Sequence, residues 1–408
     1  MQYRPGVFEE LKDEFIKKLD VSTKISDDEV LEQIDDVIVR YGKRKYISME
    51  EKTKLRLELF NSMRKLDVLQ ELIEAPDITE IMVNGTDNIF YEKGGRIYKW
   101  DKRISSVEKL NDIIQQIVAK ANRIVNEASP IVDTRLEDGS RVNIVLNPVA
   151  INGPIITIRK FPKNPMTIED LIEIGSVSKE AAVFLEKIVR ARYNIFISGG
   201  TGSGKTTFLN ILSNFIPCEE RILSIEDSAE LQINSIPNLV RLETRNANTE
   251  GENAITIRDL IKTALRMRPD RIIVGEIRGN EAIDMLQAMN TGHDGSISTG
   301  HGNSPMDMLS RIETMVLMGM EIPLEAVQRQ IVSGIDILVH LGRLRDKSRR
   351  VLEINEIEDI KDGKYILNTL FKFNETGESN GSVKGELVKV GDMRNDVKLL
   401  VSGQGVIF

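Results

Sequence analysis

The chain has 408 residues, 41% of them hydrophobic, and a net charge of -8; it is too long for one ordinary core, and two or three domains are expected. The acidic balance, with lysines interleaved among acids, argues against a DNA or RNA clamp, and the single cysteine, Cys218, leaves no disulfide framework or cysteine zinc site and fits a reducing compartment. No apolar run reaches the length of a membrane span and residues 1–14 are charged where a signal peptide turns apolar, so a cytosolic protein is expected.

Phe8, Leu11, Phe15 and Leu19 fall on one face of a first helix. Ser26 to Glu29 forms a capping box, with Ile25 and Val30 as its hydrophobic staple, and opens a second helix expected to end near Tyr41-Gly42. Ser48 to Glu51 repeats the device before a third helix carrying Leu55, Leu59, Phe60 and Met63. This helical segment, 1–65, is too small for a large core.

A small α+β domain is expected over 66–161. It reads as a short helix through Leu72-Ile73, a strand from Ile78 to Val83, an Asn84-Gly85 turn, a strand from Ile89 to Glu92, a Gly94-Gly95 turn and a strand from Arg96 to Trp100. A helical stripe follows at Leu110, Ile113, Ile114, Ile117, Val118, Ala121 and Ile124, then strands over Val142 to Leu146 and Ile155 to Ile158. Pro162-Lys163-Asn164-Pro165 opens a stiff linker, 162–166, because each proline fixes φ and biases its predecessor away from helix.

From 167 to 345 helices starting at Thr167 and Ser178 lead into alternating strands and helices, the pattern of an α/β fold with a mostly parallel sheet. Its strands are expected at Asn194 to Ser198, Ile222 to Glu226, Ile272 to Glu276, Gly295 to Thr299 and Ile335 to Leu341. A β-rich extension, 346–408, carries Val351 to Ile357 and Lys364 to Phe373, with Asn374 to Gly385 reading as loop.

The chemistry sits on this α/β segment. Gly199-Gly200-Thr201-Gly202-Ser203-Gly204-Lys205-Thr206-Thr207 meets the phosphate-loop pattern at every fixed position and lies between a strand and a helix, as that pattern requires. Its amides point inward at a polyphosphate, Lys205 reaches the β/γ oxygens and Thr206 offers a hydroxyl to Mg²⁺. Hydrolysis also needs a metal-orienting acid and a group that positions water. Ile272 to Glu276 is an apolar strand ending in a carboxylate, a Walker B element, and Ile225-Glu226-Asp227-Ser228-Ala229-Glu230-Leu231 carries three acids beyond another strand. Two histidines, His293 and His301, sit in a Gly/Thr/Ser-rich segment with no cysteine or third histidine nearby to complete a zinc site, and coupling to the γ-phosphate fits them better.

Walker A at Gly199 to Thr206, the acidic box, Leu265 to Asp270 running into Gly275-Glu276, and the Thr291 to Gly302 histidine box resemble, in that order, the RecA-like ATPases that drive type II and type IV secretion and type IV pili. Asp133 to Asn143 and Thr157 to Phe161 are similar to the CpaF branch, the Tad/Flp pilus assembly ATPases. The missing tetracysteine module fits that branch; Asn147-Pro148 stands where a Pro-Pro is expected. The resemblance covers about Leu66 to Arg350 and implies an ATP and Mg²⁺ enzyme.

By the same resemblance, Glu230 positions or activates water, Glu276 lies near Mg²⁺ through water, and His293 and His301 form the histidine-box pair. Arg135, Arg141 and Arg159 are presented to the phosphates from the N-terminal domain. A homo-hexamer at the cytoplasmic face of the membrane, working on an inner-membrane platform protein, is implied too; the acidic balance leaves no nucleic acid expected. Alternatives within the superfamily are a pilus-retraction or conjugation ATPase and an archaeal relative; a nucleotide-dependent scaffold with little turnover is the alternative outside enzymes.

Overall fold

The computed structural model describes residues 6–17, 25–161, 165–245 and 252–405. The chain divides into two compact units, Met1–Lys163 and Asn164–Phe408. Leu19 and positions 162–164 of the proline-rich link lie outside the described residues.

In the first unit α1 (Val7–Ile16), α2 (Asp27–Arg44) and α3 (Met49–Arg64) close on a core of their own around Leu11, Phe15, Ile34, Val37, Leu55 and Leu59. Both expected capping boxes are present: the Ser26 and Ser48 side chains accept from the amides of Glu29 and Glu51, whose carboxylates accept from the serine amides in return. Each box satisfies two amides that a helix start leaves without partners. With that start secured, α2 continues to Arg44, past the expected end at Tyr41-Gly42.

The same unit continues through α4 (Leu69–Glu74), β1 (Ile78–Asn84), β2 (Asn88–Lys93), β3 (Arg96–Lys99), α5 (Val107–Lys120), β4 (Ile131–Arg135), β5 (Arg141–Val145) and β6 (Ile155–Arg159). The six strands form one antiparallel sheet in the order β3-β2-β1-β6-β5-β4. The apolar stripe of α5 covers one face, packing Leu110, Ile113, Ile114 and Ile117 against Ile81, Val83, Ile144, Ile156 and Ile158. Ile124, expected on that stripe, lies beyond the end of α5 and is 78% exposed. The edge strand β4 is an addition to the sequence reading, because Ile131 to Arg135 carries too few apolar residues for period-two alternation to stand out.

The second unit runs α6 (Ile168–Glu173), α7 (Lys179–Arg190), β7 (Ile195–Gly199), α8 (Lys205–Ser213), β8 (Ile222–Glu226), β9 (Leu239–Glu243), α9 (Ile257–Ala264), β10 (Arg271–Val274), α10 (Ala282–Asn290), β11 (Ile297–His301), α11 (Pro305–Gly319), α12 (Leu324–Gly334), β12 (Ile337–Arg343), β13 (Arg349–Lys361), β14 (Lys364–Ser379), β15 (Ser382–Lys389) and α13 (Val397–Val401). Its nine strands form one sheet, β15-β14-β13-β12-β7-β11-β10-β8-β9, parallel from β12 to β9 and antiparallel from β12 to β15. The mostly parallel α/β sheet read from the sequence is therefore present.

Helices cover both faces of this sheet. Ile195 and Ile197 point toward α7 and α8, and Phe196 between them points toward α10 and α11. A strand buried on both faces reads as a continuous apolar run, which is how β7 appears in the sequence. Residues 374–385 are a correction: they form the β14–β15 hairpin, turned by Asn380-Gly381 with φ of 52 and 72. An Asn-Gly pair of this conformation matches the twist of the flanking strands.

Candidate active site

Parallel pairing brings the carboxyl ends of β7, β8, β10 and β11 to one edge of the sheet, where ligands bind in open α/β folds. Gly199 at the end of β7 stands opposite His301 of β11, and Val274 at the end of β10 stands opposite Ile225 and Ser298. The phosphate loop, the Walker B acid and the second histidine thus converge through register alone.

The loop from Gly199 to Gly204 has a backbone that other residues could not supply. A Cβ on Gly199 would fall 2.5 Å from the Leu341 carbonyl oxygen of β12 and 2.6 Å from Ser203 Oγ. Gly204 caps α8 in the left-handed region with φ of 95, and no side chain accepts from the first amides of that helix. Those amides and the helix dipole make the α8 N-terminus an anion site. Ser203 Oγ is buried beneath the loop with no hydrogen-bond partner. Gly200, Thr201 and Gly202 form the tip, and Thr206 and Thr207 stand on the first turn of α8.

Lys205 folds back over the loop. Its buried ammonium donates to the carbonyls of Gly199 and Gly200 at 3.1 Å each and lies 3.2 Å from His301 Nδ1. Burial pulls the Lys205 pKa below the usual lysine value, and Glu276 opposes that shift. His301 Nε2 stands 2.8 Å from Glu276 Oε1, close but without the alignment of a hydrogen bond. Burial first, then the Lys205 charge, lowers the His301 pKa from 6.5, so the ring is neutral near pH 7. A neutral ring facing an ammonium at Nδ1 carries its proton on Nε2, toward the carboxylate.

Glu276 is held by its backbone neighbours rather than by the strand itself, which ends two residues earlier at Val274. The Gly275 amide donates to Ile225 of β8 at 2.8 Å and the Ile277 amide to Thr299 of β11 at 2.9 Å. Thr299 Oγ1 adds a bond to the Gly275 carbonyl at 2.7 Å. Arg278 then donates to Glu276 Oε2 at 2.9 Å and lies 3.7 Å from Asp227, and the Glu276 bond together with the charges of Asp227 and Glu230 raises its pKa.

In the acidic box Glu226 is buried, and its Oε2 accepts from the amides of Glu230 and Leu231 at 2.6 and 2.9 Å. Burial raises the Glu226 pKa despite those two donors. Glu226 is therefore the staple that shapes the turn on which Glu230 stands. Thr206 and Glu276 suit a hard divalent cation, because both offer oxygen.

His293 is elsewhere. Its Nδ1 lies 3.3 Å from the Ala288 carbonyl, and its own carbonyl accepts from Ser296 just before β11 begins. That is the amino edge of a strand whose carboxyl edge holds His301, so the structure does not bring the two histidines together. The third histidine is one the sequence reading passed over. His340 of β12 is buried, with Nδ1 2.8 Å from Ser198 Oγ immediately before the phosphate loop. A periodicity that already explained β12 gave no signal for it.

In the first unit Arg135, Arg141 and Arg159 are successive register partners across β4, β5 and β6, and Glu80 of β1 is the next partner in the row. The three arginines stand at one level on the sheet face that α5 leaves uncovered. Arg159 Nε is 3.8 Å from Glu80.

Residues 63–380 match the family model described as type II/IV secretion system protein. A Mycobacterium tuberculosis protein named for conjugal transfer is 34% identical over 293 residues, 70% of this chain and 83% of its own length. The type IV secretion system protein VirB11 of Brucella suis is 31% identical over 303 residues, 68% of this chain and 84% of its own. The crystal structure of the pilus retraction motor PilT with bound ADP aligns with a TM-score of 0.51 at 18% identity, covering 83% of this chain and 86% of that one, and shares its fold. A family match over most of the chain means that the chain belongs to the type II/IV secretion system protein family.

Proposed function

We propose that the chain hydrolyses ATP and turns the free energy into work on a pilus or secretion assembly. The observation that carries this reading is the meeting of the phosphate loop, Lys205, His301 and Glu276 at one sheet edge. Lys205 would leave the loop carbonyls to neutralise the β/γ oxygens, while the α8 amides and the glycine loop hold the chain of phosphates. Glu230 orients the attacking water, whose oxygen bonds to the γ-phosphorus as the bond to the ADP oxygen breaks. Mg²⁺ held near Thr206 and Glu276 would supply charge neutralisation on the phosphate oxygens. Arg135, Arg141 and Arg159 are proposed to add cations from the first unit.

We further propose assembly of a Tad/Flp-type pilus by a hexamer at the cytoplasmic face of the membrane, acting on a platform protein. Resemblance of Asp133 to Asn143 and Thr157 to Phe161 to the CpaF branch supports it. The second reading is a conjugation or type IV secretion motor, favoured by the names of the Mycobacterium and Brucella relatives. Among the described residues no helix is long and apolar enough to cross a membrane, and attachment through a partner is compatible with that.

The test is nucleotide binding and phosphate release by the purified chain with Mg²⁺. Lys205→Ala is expected to weaken binding and abolish turnover. Glu230→Gln is expected to bind ATP as the parent does and to lower turnover by about 10²-fold or more, the scale of a positioned acid-base group. Parent-rate hydrolysis by Glu230→Gln removes Glu230 from the reaction and passes the role to Glu226 or Asp227.

A further inference from the structure

The C-terminal strands reach the phosphate loop through a residue that no motif contains. Arg349, the first residue of β13, donates from Nε to the Gly202 carbonyl at 2.9 Å. Its stem runs past the loop's end, since a Cβ on Gly204 would stand 3.5 Å from Arg349 Cδ. Among the described residues the loop tip from Gly200 to Ser203 has only two other ties: Ser203 N to the Gly200 carbonyl at 3.3 Å and Lys205 Nζ to the same carbonyl at 3.1 Å.

The arginine's own backbone is clasped on the far side. Ser176 Oγ donates to the Arg349 carbonyl at 2.9 Å, and the Val351 amide donates to the Ser176 carbonyl at 3.0 Å. Arg350 donates to the Ile174 carbonyl at 2.6 Å across Gly175, where a Cβ would lie 2.7 Å from the guanidinium. These bonds fix the backbone from which the Arg349 side chain reaches the loop.

We infer that Arg349 is a positioning residue for nucleotide binding, holding the tip of the phosphate loop in its receptive form from the C-terminal β extension. The inference rests on the nucleotide reading above. Once the Lys205 ammonium turns from the Gly199 and Gly200 carbonyls to a polyphosphate, the Arg349 bond to Gly202 remains as the side-chain anchor of the tip. The loop then stays shaped at the moment its other side-chain tie is given up, and the cost of ordering it is met before the ligand arrives.

The test titrates a fluorescent ATP analogue with Mg²⁺ into the full chain and measures steady-state hydrolysis, for the parent, Arg349→Met and Arg343→Ala. Methionine keeps an apolar stem over Gly204 and removes the donor. Arg343 is the register partner of Arg349 across the β12–β13 turn, so its loss removes equal charge without the loop contact. A hydrogen bond from a charged donor has the strength to move affinity by about tenfold. Arg349→Met is expected to weaken analogue binding and raise KM by that factor with kcat little changed, while Arg343→Ala binds as the parent does. Should Arg349→Met melt well below the parent, Arg349→Leu, which also keeps an apolar stem and lacks a donor, takes its place with the same expected loss. A loss under threefold in the folded variant, or an equal loss in Arg343→Ala, overturns the inference. If the parent binds no nucleotide, the reading of the site falls and takes the inference with it; if the parent binds and the Arg349 variant binds equally, only the inference falls.

Discussion

Burial pulls the His340 ring below its ordinary pKa of 6.5, with Glu353 and Asp307 opposing. In the folded chain the ring is neutral and bonded to Ser198 at the root of the phosphate loop. The unfolded chain takes up a proton near pH 6.5 that the folded chain refuses, so the contribution is fully present above that value and is lost as pH falls through the lower folded value. Replacing His340 by Gln is expected to cost about 1–3 kcal/mol at pH 8, the scale of a disrupted buried hydrogen bond. The deficit against the parent should narrow as pH falls below 6.5, as followed by urea denaturation at a series of pH values down through the acid range. A deficit that is constant across that range means the ring does not titrate with unfolding. Residues of this kind are hard to read from sequence. His340 and Ser198 are 142 positions apart, and each sits on a strand whose apolar neighbours already account for it.

At the scale of elements, the row Arg135, Arg141, Arg159 sets β4, β5 and β6 against their own electrostatics. Like charges directly opposite in an antiparallel sheet are unfavourable by a fraction of a kcal/mol, roughly 0.2–1. Glu80 at the end of the row offsets part of that. Arginines retained only for the sheet's sake would lower stability when removed and leave hydrolysis alone. If they serve the phosphates as proposed, Arg→Ala at Arg135 or Arg141 is expected to leave a cooperative thermal transition in place while ATP turnover falls by about 10³-fold, the scale of an arginine finger. Melting curves and phosphate release on the same preparations separate the two, and variants at all three positions with parent turnover would remove the row from the chemistry. The individual arginines were legible in their motifs. Their alignment was not, because register between β4, β5 and β6 is set by pairing across turns that composition does not measure.

At the scale of the whole molecule, the strands after residue 345 belong to the main sheet. Val351, Ile354, Leu370, Phe371 and Leu387 share one core with β7 and α8, and β13 covers the edge of β12. A fragment ending at Arg345 would expose that edge and lose those apolar contacts, so it is expected to be insoluble or to lack a cooperative thermal transition. The fragment from Thr167 to residue 405 should keep one. Circular dichroism melting of the two fragments decides the matter, and a shorter fragment as stable as the longer would show the extension to be an accessory. What the sequence by itself determined is what local chemistry can carry: the capping boxes, the period of α5, the double-faced apolar run of β7, and the phosphate loop with its strand before and helix after. The anchoring of the loop by Arg349 and the joining of β13 to β15 onto the parallel sheet were decided only by tertiary structure. Each depends on which strand pairs with which and in what register, a choice made by burial summed over the whole core rather than by any residue's neighbours in the chain.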